Sequence, residues 1–342
     1  METDELEDLY GETILDHCRN PRNHLPLEDA DIVADGVNRF CGDEIHIQVK
    51  LDDDGRIAGI EVARPDGVAE RIGCRALILA CNGFGGDPDL VRRHIPEMAD
   101  ALYFGHPGNR GDAVRWGEAL GADIRHMTAY QGHGSVAHPH GVLITWAVIT
   151  EGGIQINADG QRFANETTGY SEQAVPVLAQ PGGIAWSVYA APQHEVARQF
   201  EDYRDAEAMG ALKTADSVAE LERAIEVPPG RLAATLDGVA RMARGAAADP
   251  LGREFDERSV LGPPFHAVKV TGALFHTQGG LVIDPTARVL RDGVPFPNLF
   301  AAGGAACGLS GPDVGGYLSG NGLLTAVTLG RIAGRAAAAL MA

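Results

Sequence analysis

The sequence predicts a mixed fold, α/β together with α+β, and three stretches carry that prediction. Arg75-Ala-Leu-Ile-Leu-Ala80-Cys-Asn-Gly83-Phe-Gly-Gly86 is a short apolar run closed by a glycine-dense turn, the pattern of a buried strand. Leu299-Phe-Ala-Ala-Gly303 is a second such strand. It runs through a glycine-rich loop into a long Ala/Leu-rich helix with Asn321 and Gly322 at its start. Ile45, Ile47, Val49 and Leu51 alternate with polar residues, a half-buried strand, and Asp52-Asp-Asp-Gly55 is a hairpin turn signal after it.

Composition narrows the function classes. The chain has 342 residues, enough for two or three lobes, and 47 acids against 28 Lys plus Arg give a net charge of −19. A field of that sign repels phosphate backbones and anionic membrane surfaces, and keeps a soluble enzyme in solution. No apolar run approaches a membrane span, and the acidic start is the opposite of a signal peptide. Five cysteines, odd in number and scattered, make no disulfide framework. The expected address is cytoplasmic.

In chain order, residues 4–24 alternate acids with Leu6, Leu9, Ile14 and Leu15, an amphipathic helix ending before Pro21. Ile154 to Glu166 reads as a hairpin around Asp159-Gly160. Ser217 and Glu220 form a capping box for a helix with Val218, Leu221 and Ile225 on one face, closed by Pro228-Pro-Gly230. The only literal G-x-G-x-x-A, Gly132 to Ala137, runs into His138-Pro-His140 and not into a helix. It is therefore not a dinucleotide site. The carboxy-terminal turn is the better ligand candidate, because glycines admit close backbone approach and a helix start offers unpaired N–H groups at its positive end.

These stretches resemble the fumarate reductase/succinate dehydrogenase flavoprotein family, which includes ketosteroid dehydrogenases. The resemblance covers residues 56–342. Arg75 to Gly86 is similar to V-V-L-A-T-G-G-F-G, a buried parallel strand in that family, with Cys81 and Asn82 in place of Thr and Gly. Gly108 to Ala122 is similar to the family's G-D-G helix packed near the flavin, which implies Asp112 at its capping position. Thr271-Gly-Ala-Leu-Phe-His276-Thr277-Gln-Gly279-Gly280 is similar to the H-T-x-G-G segment, and Ala301-Ala302-Gly303 with Ser319 to Leu323 is similar to the flavin-closing segment. The resemblance implies an FAD-dependent oxidoreductase acting by hydride transfer. It implies cofactor contacts from Ala80, Asn82, Gly83, Asp112, Gly303, Gly304, Ser319, Gly320, Asn321 and Leu323. It also places His133, Tyr170, His276 and Thr277 at the chemistry. Three departures matter. Gly304 stands where an acid is usual. Tyr170 stands where fumarate reductases carry an arginine proton donor, and no second arginine lies between Gly311 and Asn321. Because arginine grips carboxylates bidentately, an enone or ketosteroid-like small molecule is expected over a dicarboxylate.

Residues 5–56 resemble the NifU/IscU-type iron–sulfur cluster scaffolds, through Ile14-Leu-Asp-His17, Asn20-Pro-Arg-Asn23 and Asn38-Arg-Phe-Cys41-Gly-Asp43. The resemblance implies zinc or a nascent cluster on Cys41 and Asp43. The family's two further cysteines are missing, and one thiolate with one carboxylate does not complete a tetrahedral zinc site. No G-x-G-x-x-G precedes residue 75. The expectation is an incomplete FAD-binding, Rossmann-like domain (56–122 and 271–342). A substrate-capping domain (123–270) is inserted in it, and a scaffold-like α+β segment (1–55) precedes it. Without pyrophosphate contacts FAD affinity should fall by several kcal/mol, at roughly 1.5–3 kcal/mol per charged hydrogen bond. A homo-oligomer or a complementing chain is the partner expected beyond substrate. The other readings are a cluster or zinc scaffold, and a fusion that catalyses nothing.

Overall fold

The computed structural model describes residues 32–38, 43–51, 55–63 and 69–341. The amphipathic segment 4–24 and Cys41 lie outside them. Four strands open the described chain: β1 (Ile32–Asn38), β2 (Asp43–Leu51), β3 (Ile57–Ala63) and β4 (Ala69–Gly73), an antiparallel meander in that order. β2 and β3 form the expected hairpin around residue 55. At Gly59 the ladder closes so tightly that a Cβ would stand 2.7 Å from the Ile72 carbonyl oxygen.

β5 (Leu77–Leu79) follows, then α1 (Pro88–His94), β6 (Leu102–Tyr103) and α2 (Asp112–Ala119). Asp87 caps α1, accepting from the amides of Asp89 and Leu90 at 3.0 Å. At α2 the expectation fails. The cap position belongs to Gly111 at φ 78°, and Asp112 is the first helical residue, with no side-chain cap bond. The turn needs a left-handed residue there, which a glycine supplies without steric cost.

β7 (Ile124–Arg125) pairs with a later strand in a two-stranded sheet, and the largest sheet with its helices begins after it: β8 (Tyr130–Ala137), β9 (Val142–Leu143), α3 (Ala147–Thr150), β10 (Ile154–Ile156), α4 (Ala174–Leu178) and β11 (Ile184–Ala190). α5 (Ala191–Ala197), α6 (Glu201–Ala208), β12 (Leu212–Ala215), α7 (Val218–Ala224), α8 (Arg231–Ala243) and β13 (Phe265–Thr277) complete it. The path is β10-β11-β13-β8-β9, with β12 and β6 also paired to β13. β10 pairs with β11, not with residues 162–166, so Ile154 to Glu166 is not a β-hairpin. Asn157 holds the Asp159-Gly160 turn instead, its Oδ1 accepting from the amides of Asp159 and Gln161. The Ser217 cap is present and accepts from Glu220 N.

β13 has 13 residues and runs unbroken through position 270, where the sequence suggested a boundary. Its first half pairs with β11 and β12 and its second half with β8 and β6. Beyond it come β14 (Gly280–Leu281), β15 (Arg288–Arg291), β16 (Val294–Ala301) and α9 (Asn321–Ala339). β16 pairs in parallel with β5 and antiparallel with β15. Asn298, 1% exposed, locks the meander onto this sheet, accepting from Ile57 N and donating to the carbonyls of Ile57 and Arg75. Beneath lies a core of Ile57, Leu79, Leu281, Leu299 and Phe296, each large side chain contributing about 1.5–3 kcal/mol by burial. Among the described residues no helix is long and apolar enough to cross a membrane.

Candidate active site

Three chain segments meet where β5, β13 and β16 end, and a cleft of about 590 Å³ opens between them, within the usual range of about 300–1,000 Å³ for small-molecule sites. The turn after β5 supplies Ala80 and Asn82, the end of β13 supplies His276 and Gln278, and the loop into α9 supplies Gly303, Gly304, Tyr317, Ser319, Gly320 and Leu323. The parallel pair fixes the first and last of these, since Leu77, Ile78 and Leu79 face Leu299, Phe300 and Ala301 in register.

Thr277 stitches the turn to β13. Its Oγ1 accepts from Phe84 N at 3.1 Å, and a Cβ on Gly83 would lie 2.2 Å from that oxygen. Gly83 is therefore buried under Thr277 and does not line the cleft. The Thr277 hydroxyl serves this junction.

His276 stands at the end of a directed chain of hydrogen bonds. Asn321 Nδ2 donates to Ser310 Oγ at 3.0 Å, Ser310 Oγ donates to Gln278 Oε1 at 2.9 Å, and Gln278 Nε2 donates to His276 Nδ1 at 2.8 Å. The Gln278 contact is shorter than the 3.4 Å from the same Nδ1 to the Thr277 carbonyl, so Nδ1 is assigned as acceptor and the proton of the neutral ring to Nε2. Burial, the largest effect, holds the imidazole below its ordinary pKa and so favours the neutral ring. The start of α9 lies against it: a Cβ on Gly322 would be 3.0 Å from His276 Cε1 and Nε2.

Two phenols complete the cleft. Tyr317 stands edge-on to both His276 and Tyr170, with ring centroids 5.7 and 6.2 Å away. Burial, followed by the neighbouring Tyr170 hydroxyl, raises the Tyr317 pKa. Tyr170 stacks on His133 at 5.0 Å, and His133 stacks in turn on Phe275 at 5.3 Å. His133 is 5% exposed and lies behind Tyr170, outside the cleft wall. Its Nδ1 accepts from Ser135 N, and burial pushes its pKa down to about 3.

Of the positions singled out by sequence, the structure brings together Ala80, Asn82, Tyr170, His276, Thr277, Gly303, Gly304, Ser319, Gly320 and Leu323. Asn321 is buried and acts through Ser310. Asp112 is half-buried in α2 and is not part of the cleft wall. Tyr317, Gln278 and Ser310 were missed by the sequence reading. Tyr317 carried a signal, being the only aromatic residue between Gly303 and Gly322. For the scaffold-like reading, Asp43 opens β2 opposite Asn38. Among the described residues no three His, Cys, Asp or Glu side chains gather as metal ligands.

The cleft suits the edge and face of a flavin ring. Gly303, Gly304, Gly320 and Gly322 bring bare backbone to one wall. The amides of Gly322 and Leu323 belong to the first turn of α9, where a helix has no partner of its own to offer them.

Residues 34–323 match the FAD binding domain family, a span that takes in most of β1, all of β2 to β4 and residues 34–55 of the stretch set apart as scaffold-like. A probable fumarate reductase of Shewanella frigidimarina is 28% identical over 293 residues, covering 85% of this chain and 49% of that protein. A 4-oxocyclohexanecarboxylate 2-dehydrogenase of Sinomonas cyclohexanicum is 30% identical over 323 residues, covering 83% and 54%. The open conformation of a flavocytochrome c3 fumarate reductase superimposes with a TM-score of 0.70 at 28% identity, over 85% of this chain and 51% of that one. A 3-ketosteroid Δ4-(5α)-dehydrogenase of Rhodococcus jostii gives 0.62 at 26% identity, over 90% and 59%. The chain spans about half the length of the curated relatives it matches. With 34–323 matched, the chain belongs to the FAD-binding-domain family of flavoprotein oxidoreductases.

Proposed function

We propose that this chain holds the isoalloxazine end of FAD in the β5–β13–α9 cleft and interconverts a carbonyl compound with its α,β-unsaturated form. The observation that carries the proposal is the cleft's chemistry. Among the described residues its lining includes two tyrosines, a histidine and small polar groups, and no Lys or Arg. A dicarboxylate would need bidentate cationic clamps, whereas a ketone oxygen needs neutral donors.

When bound, the flavin supplies hydride transfer to or from its ring. The chain's own residues do the rest. The first-turn amides of α9 and the backbone around Gly303 and Gly304 hold the electron-rich edge of the ring. His276, neutral with its proton on Nε2, donates to the substrate oxygen as negative charge develops there, as a pre-oriented donor should. Tyr170 and Tyr317 move the proton at the carbon next to the carbonyl, in the manner of general acids and bases. His133 stacks on the rear face of Tyr170, and Trp146 and Phe275 pack on His133 in turn, which excludes water from that face. Two relatives are named for action on oxo compounds, a 4-oxocyclohexanecarboxylate and 3-ketosteroids, which supports the same substrate class.

The test is anaerobic. FAD-loaded protein is reduced chemically and mixed with 2-cyclohexenone or with fumarate. Return of the oxidised flavin spectrum with the enone, at least tenfold faster than with fumarate, is the expected result. Equal rates, or preference for fumarate, would overturn the substrate class.

A further inference from the structure

Two departures from the expected residues, Asn82 after β5 and Gly304 after β16, face each other across the parallel pair. An ideal Cβ on Gly304 would stand 2.2 Å from Asn82 Oδ1 and 3.0 Å from the Gly83 amide nitrogen. Any side chain at 304 and the present Asn82 rotamer therefore exclude one another. Asn82 adopts φ 67°, a left-handed conformation that asparagine tolerates far better than most residues and that glycine adopts freely. Its Oδ1 accepts from Gly83 N at 2.9 Å, which fixes the carboxamide. Asn82 is exposed within the cleft, so its Nδ2 donor remains for a group bound there.

We propose that Asn82 and Gly304 are one exchanged pair. A single polar side chain fills the space between the two turns, and in this chain it comes from position 82 as a neutral amide donor to the cofactor. The proposal rests on the flavin reading above. It adds that the cofactor meets an N–H donor here and not a carboxylate, and that the two positions change together or not at all. The recognised chemistry is an acceptor on the ring edge or on the polyol chain attached to it.

A double-mutant cycle tests it, read by thermal unfolding of the flavin-free protein and by FAD titration followed through flavin fluorescence. Gly304→Ser alone should lower Tm, because its Cβ strikes a fixed amide. In the Asn82→Gly background the same change should leave Tm at the level of Asn82→Gly alone. Asn82→Gly by itself should keep or raise Tm, since glycine suits the left-handed turn, and should weaken FAD binding about tenfold, roughly 1.4 kcal/mol. Asn82→Gly with Gly304→Ser should recover most of that loss. Additive Tm changes would overturn the exclusion, and an unchanged FAD affinity in Asn82→Gly would overturn the contact. Failure of the parent protein to bind FAD would remove the flavin reading and Asn82's contact with it. The Tm cycle would still decide whether the pair is exchanged.

Discussion

On the proposed reading, the chemistry turns on Tyr170 and Tyr317. Each phenol sits within ring-contact distance of the next aromatic group, and His133 forms the rear wall of Tyr170. Tyr170→Phe keeps the stack and removes only the hydroxyl. Turnover of an enone should therefore fall by about 10²–10⁴, the usual worth of a positioned acid or base, with KM changed little and Tm unchanged. Stopped-flow measurement of flavin reoxidation checks this, and a rate within threefold of the parent would remove Tyr170 from the mechanism. Gly322 gives a second prediction. A valine there places branched carbon against the His276 ring, 3.0 Å from where a Cβ would begin, and covers the first-turn amides. FAD binding should be lost while circular dichroism of the protein stays the same.

At the scale of elements, β13 is what converts sequence into site, because one strand carries the largest sheet at its start and His276 and Thr277 at its end. Two buried histidines tie this sheet's stability to pH. His133 in β8 is pushed to about 3 by burial, and His266 in β13 to about 4 by burial and then by the stacked His194. Both folded values lie below the ordinary value near 6.5, so between the two values the unfolded chain binds protons that the native chain does not. Stability then rises with pH across that window and is lost progressively as pH falls below about 6.5. Tm measured from pH 7.5 down to 5 should decline, and His266→Gln should flatten the slope. A flat profile would contradict the burial of neutral imidazoles.

Glu166 is the other element-scale anchor. It is fully buried, its Oε2 meets Arg162 at 2.7 Å and Arg253 at 3.1 Å, and its Oε1 accepts from Gln155 N in β10. Glu166→Gln leaves two guanidinium groups with only Asp249 as a counter-ion among the described residues, and should cost about 3–5 kcal/mol, read as a shift in urea midpoint with unchanged slope.

Much of this was legible before any fold was known. β5, β16 and the start of α9 were marked by apolar runs ending in glycine, because a buried parallel strand and a close backbone approach leave few other residues possible. Tyr170 and His276 were placed by motif and do meet in the cleft. The remainder depended on contacts between distant segments. Asp112 could cap a helix by type, but the backbone at Gly111 turns left-handed and takes the position. Ile154 to Glu166 has the Asp-Gly of a hairpin, yet β10 finds its partner in β11 across a long loop. Ser310 and Gln278 are unremarkable in sequence, and only the loop's return to β13 makes them a relay to His276.

For the whole molecule, the question is which end of the cofactor the chain grips. On the proposed reading the described residues build the ring end, and among them no glycine fingerprint opens a helix for a pyrophosphate. On the present account FMN and FAD should bind within about threefold of each other, since the adenosine half adds few charge-assisted hydrogen bonds, each worth roughly 1.5–3 kcal/mol. A hundredfold preference for FAD would contradict this. The central claim, that the cleft at the ends of β5, β13 and β16 receives an isoalloxazine ring, is tested most directly by titrating the purified chain with FAD and recording the visible spectrum. Saturable perturbation of the flavin bands with quenched fluorescence, present in the parent and absent in Gly322→Val, is the result predicted. A folded parent protein that leaves the spectrum of free FAD unaltered at every concentration would contradict it.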